Sequence, residues 1–196
     1  MTLESFKIYL QLGFEHISDL AGYDHILFII ALCAVYRLAQ WRSILILVTA
    51  FTIGHSMTLA LAAFNLVTIN VDLVELLIPV TIILTCLLNV LYKEIHTKQI
   101  RLNYGITLFF GLIHGLGFSS QFSMLKSREQ SIVDLLLPFN IGIELGQLII
   151  VVFIMLLTYI FLDLLKVKQY AWNLFISGAA FGVAFVLVLE RANAVF

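Results

Sequence analysis

VDLLLPFNIGIELGQLIIVVFIMLLTYIFL, residues 133–162, is the stretch on which the fold turns. It is 30 residues long and carries only two charges, Asp134 and Glu144. A bilayer's hydrocarbon core takes roughly 20 apolar residues to cross as a helix. This segment therefore crosses a membrane with length to spare, which it absorbs by tilting or by running past the interface. It must be helical, because backbone groups facing lipid need partners within the chain.

Outward from it, five more apolar stretches read the same way, at 23–40, 43–66, 71–92, 103–123 and 172–191. The chain is 62% hydrophobic and 12% charged, with mean hydropathy +1.06. A water-soluble protein of this size could not cover its surface with so few polar groups. The lipid bilayer is thus its solvent, and the net charge of -1 argues against a nucleic-acid partner. Cys33 and Cys86 lie inside apolar runs and form neither a disulfide framework nor a CxxC motif; they read as small buried hydrophobes.

Residues 1–20 read as an amphipathic helix, with Leu3, Phe6, Leu10, Phe14 and Ile17 on one face and Glu4, Lys7, Gln11 and Glu15 on the other. Such a helix is expected to lie in the membrane interface, with Gly22 as a break after it. The start, MTLESFKIYLQLGFEH, lacks the pattern of a cleavable signal peptide. The expected fold is an all-α integral membrane protein of one domain, 1–196: an interfacial helix (1–20) and then a six-transmembrane-helix bundle (23–191). Pro79 and Pro138 read as lying near helix starts, where a missing amide costs little. Trp41, Tyr92 and Trp172 read as interface anchors.

Seven basic residues fall in the connections after the first, third and fifth spans: Arg37, Arg42, Lys93, Lys98, Arg101, Lys166 and Lys168. Four fall on the other side: Lys7, Lys126, Arg128 and Arg191. The bias predicts both termini outside the cytoplasm. His96, in a basic loop, reads as solvated.

An ionisable residue inside a span is costly unless paired or functional. His25 lies 12 residues from Arg37, His55 12 from Ser43 and His114 11 from Asn103, and Glu144 lies 11 past Val133. At 1.5 Å per residue all four are roughly 16–18 Å into their helices and share one layer. Thr52, His55 and Ser56 share a face, and Asn140, Glu144 and Gln147 form a polar stripe. Gly111 with Gly115, and Gly142 with Gly146, mark faces where a second helix can approach closely. His16 and Asp19 lie one turn apart, and a fold at Gly22 would bring them to Asp24 and His25. Neutral imidazole with carboxylate suits divalent nickel, cobalt, zinc or copper. Against this, a single membrane histidine can simply hydrogen-bond to a neighbouring helix, and Asn140 and Gln147 can serve as interhelical glue. Glu75 reads as an interface residue or part of an entrance.

GFEHISDLAGYDHILF, FTIGHSMTL, FGLIHGLGF and FNIGIELGQ, in this order across residues 13–147, together resemble the HupE/UreJ family of small bacterial membrane proteins. The resemblance implies a nickel or cobalt permease of the bacterial inner membrane, with a metallochaperone or membrane partner subunit as its associates. His16, Asp24 and His25 correspond to the family's histidine and Asp-His signature. Seven residues separate His16 from Asp24, against five in that signature.

The resulting expectation is capture of an ion at an outer mouth by His16, Asp19, Asp24 and His25. The ion then passes to a central site of His55, His114 and Glu144, whose ligands Thr52, Ser56, Asn140 and Gln147 orient. No GxxxxGK[ST] motif is present, so ATP energy would come from a separate subunit. The competing expectations are a membrane metalloenzyme with Glu144 as general base, a haem-binding redox subunit with His55 and His114 as axial ligands, and an accessory subunit whose polar layer only fixes helix packing.

Overall fold

A computed structural model describes residues 2–64, 66–67, 70–91, 97–125 and 131–195, with 97–101 and 125 described by backbone alone. Tyr92, Lys93, His96, Lys126 and Arg128, placed above in loops and at the interface, lie outside these residues. The described residues form seven helices and no strand: α1 Leu3–Ser18, α2 Asp24–Cys33, α3 Trp41–Ala63, α4 Val71–Leu91, α5 Thr97–Leu125, α6 Ile132–Tyr159 and α7 Gln169–Val195.

Local chemistry sets the ends. Thr2 accepts the Ser5 amide at 3.1 Å to start α1. Asp19 ends it, its carboxylate taking the Ala21 amide at 2.8 Å. Beyond α6 the last turn widens over Ile160–Leu164 and Lys166 takes a left-handed φ of 58°. The Leu165 and Val167 amides then close back on the Ile160 and Phe161 carbonyls.

Four helical segments are long and apolar enough to cross a membrane: Leu38–Ala63, Val71–Leu91, Ile132–Leu164 and Gln169–Val195. α5 has 29 residues but interleaves its apolar side chains with glycine, serine and amides, and it is not among the four. The first expected span is shorter than the apolar run suggested. α2 has only 10 residues, about 15 Å, half of a hydrocarbon core. Side chains from other helices meet its end: Asn89 Nδ2 donates to Ala31 O in its last turn at 2.7 Å, and Gln169 Nε2 to Val35 O just past it at 2.8 Å. Such partners are what let a helix end within a membrane.

The strongest packing pairs α3 with α5, α1 with α6 and α4 with α7. In the first two, backbones touch through glycine. A Cβ on Gly54 would strike the Leu108 carbonyl, and one on Gly111 or Gly115 the carbonyl of Phe51 or His55. A Cβ on Gly13 would strike the Phe139 carbonyl, and one on Gly142 the Leu10 carbonyl, while Gly146 lies against Ile17. Gly111 and then Gly115 meet Phe51 and then His55, and Gly142 and then Gly146 meet Leu10 and then Ile17, so in both pairs the helices run the same way. α1 therefore packs lengthwise along a membrane-spanning helix.

Pro79 and Pro138 stand inside α4 and α6, not in their first turns. Pro79 has no amide to give the Glu75 carbonyl. Arg191 Nη1, from the end of α7, donates to that carbonyl at 2.8 Å instead. The gap left by a proline thus fixes where the last turn of α7 docks.

Candidate metal centre

The paired helices carry the site. α1 on α6 brings His16 inward near its C-terminus, and α3 on α5 brings in His55 and His114. Asp24 and His25 open α2. The rings converge: His16 lies 4.8 Å from His25 and 5.4 Å from His55, and His25 lies 5.8 Å from His55 and 5.2 Å from His114, centroid to centroid. His55 and His114 are fully buried, His25 nearly so. Phe118 lies 4.1 Å from the His16 ring and Phe51 5.1 Å from that of His114, walling the group with aromatics.

One ligand nitrogen from each of His16, His25 and His55 lies within 4.8 Å of the others. Donors bonded to one ion at about 2.1 Å are at most about 4.2 Å apart, so a small contraction suffices. Five ring nitrogens are buried without a hydrogen-bond partner among the described residues: His16 Nε2, His25 Nε2, both nitrogens of His55, and His114 Nδ1. Each such atom costs about 1–3 kcal/mol if left unsatisfied. One imidazole nitrogen from each of His16, His25 and His55, brought together, fits a borderline-soft divalent cation.

Neighbours orient them. Asp24 Oδ1 lies 3.3 Å from His25 Nδ1, and Asp24 Oδ2 lies 3.1 Å from Arg191 Nη2. A carboxylate on one ring nitrogen leaves the other as the ligand. Thr81 Oγ1 lies 2.7 Å from its own helix's Ile78 O and 3.0 Å from His114 Nε2. With the hydroxyl proton directed to Ile78, His114 Nε2 is the donor and its Nδ1 carries the lone pair. Above the group opens a cavity of about 250 Å³ lined by Asp19, Asp24, Glu75 and Arg191 together with His16, His25 and His114. Three acids against one base draw cations toward it.

Of the residues singled out in the sequence, His16, His25 and His55 form one group, with His114 at its edge and Asp24 beside His25. The outer and central clusters expected separately are contiguous. Asp19 caps α1 and lines the cavity. Glu144 stands elsewhere: its Oε1 accepts from Thr49 Oγ1 at 2.6 Å across the α3–α6 contact. Thr52 donates to Gln147 Oε1 at 2.8 Å, and Ser56 to the Thr52 carbonyl at 2.6 Å. Asn140 Oδ1 and Gln147 Nε2 are buried and have no partner among the described residues. The sequence does not single out Thr81, and Arg191 reads there only as a loop charge that sets orientation. Only the proline at 79 hinted that a distant donor was needed.

Fold and site define a helical membrane protein with a buried histidine cluster of metal-ligand type. The family model described as "HupE / UreJ protein" matches residues 1–191, and the chain belongs to the HupE/UreJ family. That family is associated with nickel and cobalt transport. No curated protein and no solved structure matches the chain.

Proposed function

We propose that the protein is a divalent transition-metal permease, with nickel or cobalt as cargo, in a bacterial inner membrane with both termini outside the cytoplasm. The observation that carries this reading is the convergence of bare nitrogens from His16, His25 and His55 beneath an acidic cavity. Imidazole binds the ion in its neutral form, so loading releases whatever protons the rings hold.

In this reading α1 and α2 together make one discontinuous traverse. α1 runs parallel to α6 and ends at the histidines, and α2 starts there and continues. Broken helices meeting at a site inside the bilayer are a recurring way for transporters to present ligands. With α3 to α7 the chain then crosses six times as a single domain. Asp24 orients His25, and Asp19 and Glu75 attract the cation. Backbone contact between α3 and α5 closes the slot that a haem between His55 and His114 would occupy, which favours the bare ion over the redox reading.

The test is elemental analysis of detergent-purified protein beside His25→Ala and His55→Ala, with nickel uptake in vesicles. About one ion per chain is expected in the wild type, lost with uptake in both variants. Retention of metal and uptake in both variants would sink the reading.

A further inference from the structure

Below the histidines, at the end of the bundle opposite the acidic cavity, lies a second cavity of about 30 Å³ between α2, α4 and α5. That is room for about one water molecule. It is lined in part by Thr85, Asn89, Thr107, Asn103 and the Tyr36 hydroxyl. Polar side chains are not needed to fill a gap between apolar helices, and five at one spot call for a reason.

Their hydrogen bonds give one. Thr81 and Thr85 direct their protons to their own helix, to Ile78 O at 2.7 Å and Thr81 O at 2.8 Å. Asn89 Nδ2 is taken up by Ala31 O at 2.7 Å and Ser177 Oγ at 3.3 Å, and Tyr36 Oη accepts from Asn103 Nδ2 at 3.3 Å. Thr81, Thr85 and the Asn89 amide thus spend donors on the walls, and lone pairs on Thr85 Oγ1 and Asn89 Oδ1 remain for an occupant. Thr81, Thr85 and Asn89 stand at i, i+4 and i+8 on α4, a stripe of roughly 12 Å along one face. Its upper end touches His114 Nε2 at 3.0 Å, and His114 also lines the acidic cavity.

Resting on the permease reading above, we propose that the oxygen-lined cavity is the release site for the cation, reached from the histidines through His114, Thr81 and Thr85. Nickel and cobalt bind oxygen donors less tightly than imidazole. An ion passed from nitrogen to hydroxyl and amide oxygens is therefore loosened toward the far face. Thr85 and Asn89 act on the ion after it leaves the triad, and the triad does not need them.

The test uses the full-length protein in proteoliposomes, reading bound nickel per chain and nickel flux separately. Thr85→Val keeps the side chain's shape and removes the oxygen. It is expected to bind nickel as the wild type does and to lower flux about tenfold or more, the scale of losing one buried polar partner. Thr85→Ser is expected to restore flux. Thr158→Val, at a buried hydroxyl of α6 without a partner among the described residues, is expected to change neither readout. Flux of Thr85→Val within twofold of the wild type overturns the route. So does loss of bound nickel in Thr85→Val, which would make Thr85 a support of the triad. Absence of flux in a nickel-loaded wild type overturns the permease reading and the route with it, whereas a failed route leaves wild-type flux intact.

Discussion

Asp24 stands between two positive or hydrogen-bearing partners, with His25 Nδ1 3.3 Å from one oxygen and Arg191 Nη2 3.1 Å from the other. The carboxylate selects the tautomer of His25 that leaves Nε2 bare. Arg191 in turn keeps a carboxylate that is about nine-tenths buried from standing uncompensated, a condition that is strongly destabilising. Asp24→Asn keeps the size and removes the charge. It is expected to lower nickel affinity about 10- to 100-fold, as loss of a metal ligand's orienting partner does elsewhere. Calorimetric titration of the purified variant checks this, and unchanged affinity would remove Asp24 from the site.

At the scale of helices, glycine decides which elements touch. Helices in lipid gain little from hydrophobic burial against one another, so close van der Waals packing and interhelical hydrogen bonds must hold them. Gly13 lets α1 rest on the backbone of α6 at Phe139, and His16 follows one turn later. Gly13→Ala drives a Cβ into that backbone. It is expected to cost about 1–3 kcal/mol, the usual range for overpacking, and to lower bound nickel because His16 moves with α1. Gly178 and Gly182 on α7 have nothing among the described residues within 4 Å of an added Cβ. Alanine there is expected to be neutral or slightly stabilising, since it is the better helix former. Thermal unfolding of the three variants in detergent checks the contrast. Equal melting temperatures would mean that the α1–α6 contact is not close in the membrane.

For the whole molecule, the broken first traverse has a consequence for topology. If α1 and α2 cross once between them, the crossings number six and both termini lie on the same face. Reporter fusions to each terminus are expected to agree, on the outer side, in keeping with the basic bias of the loops. Opposite locations would mean that α1 crosses alone or lies in the interface. On the same plan the acidic cavity with Glu75 and Arg191 faces outward, and the cavity at Tyr36 and Asn103 faces the cytoplasm.

Much of this was legible in residues alone. Apolar run length required helices and a membrane, because lipid offers no partner for a backbone amide. Counting residues at a fixed rise predicts one layer for His25, His55 and His114, and their rings do lie together, although α2 stops at Cys33, short of the Arg37 from which His25 is counted. The glycine pairs at 111 and 115 and at 142 and 146 marked faces of close approach, although not which helix would fill them. Tertiary structure decided the rest. His16 joined the triad because α1 lies along α6, a choice made by backbone contact at Gly13 and Gly142. Glu144, expected in the layer of the histidines, bonds instead to Thr49, six residues before His55 on α3, because counting along one helix fixes neither its offset against its neighbours nor its rotation. Arg191 reaches Asp24 across 167 residues of sequence, since only the docking of α7 on α4 brings its last turn to the carbonyl that Pro79 leaves free. Periodicity within a helix is a local property and can be read from the chain; the pairing of faces depends on all the helices at once and cannot.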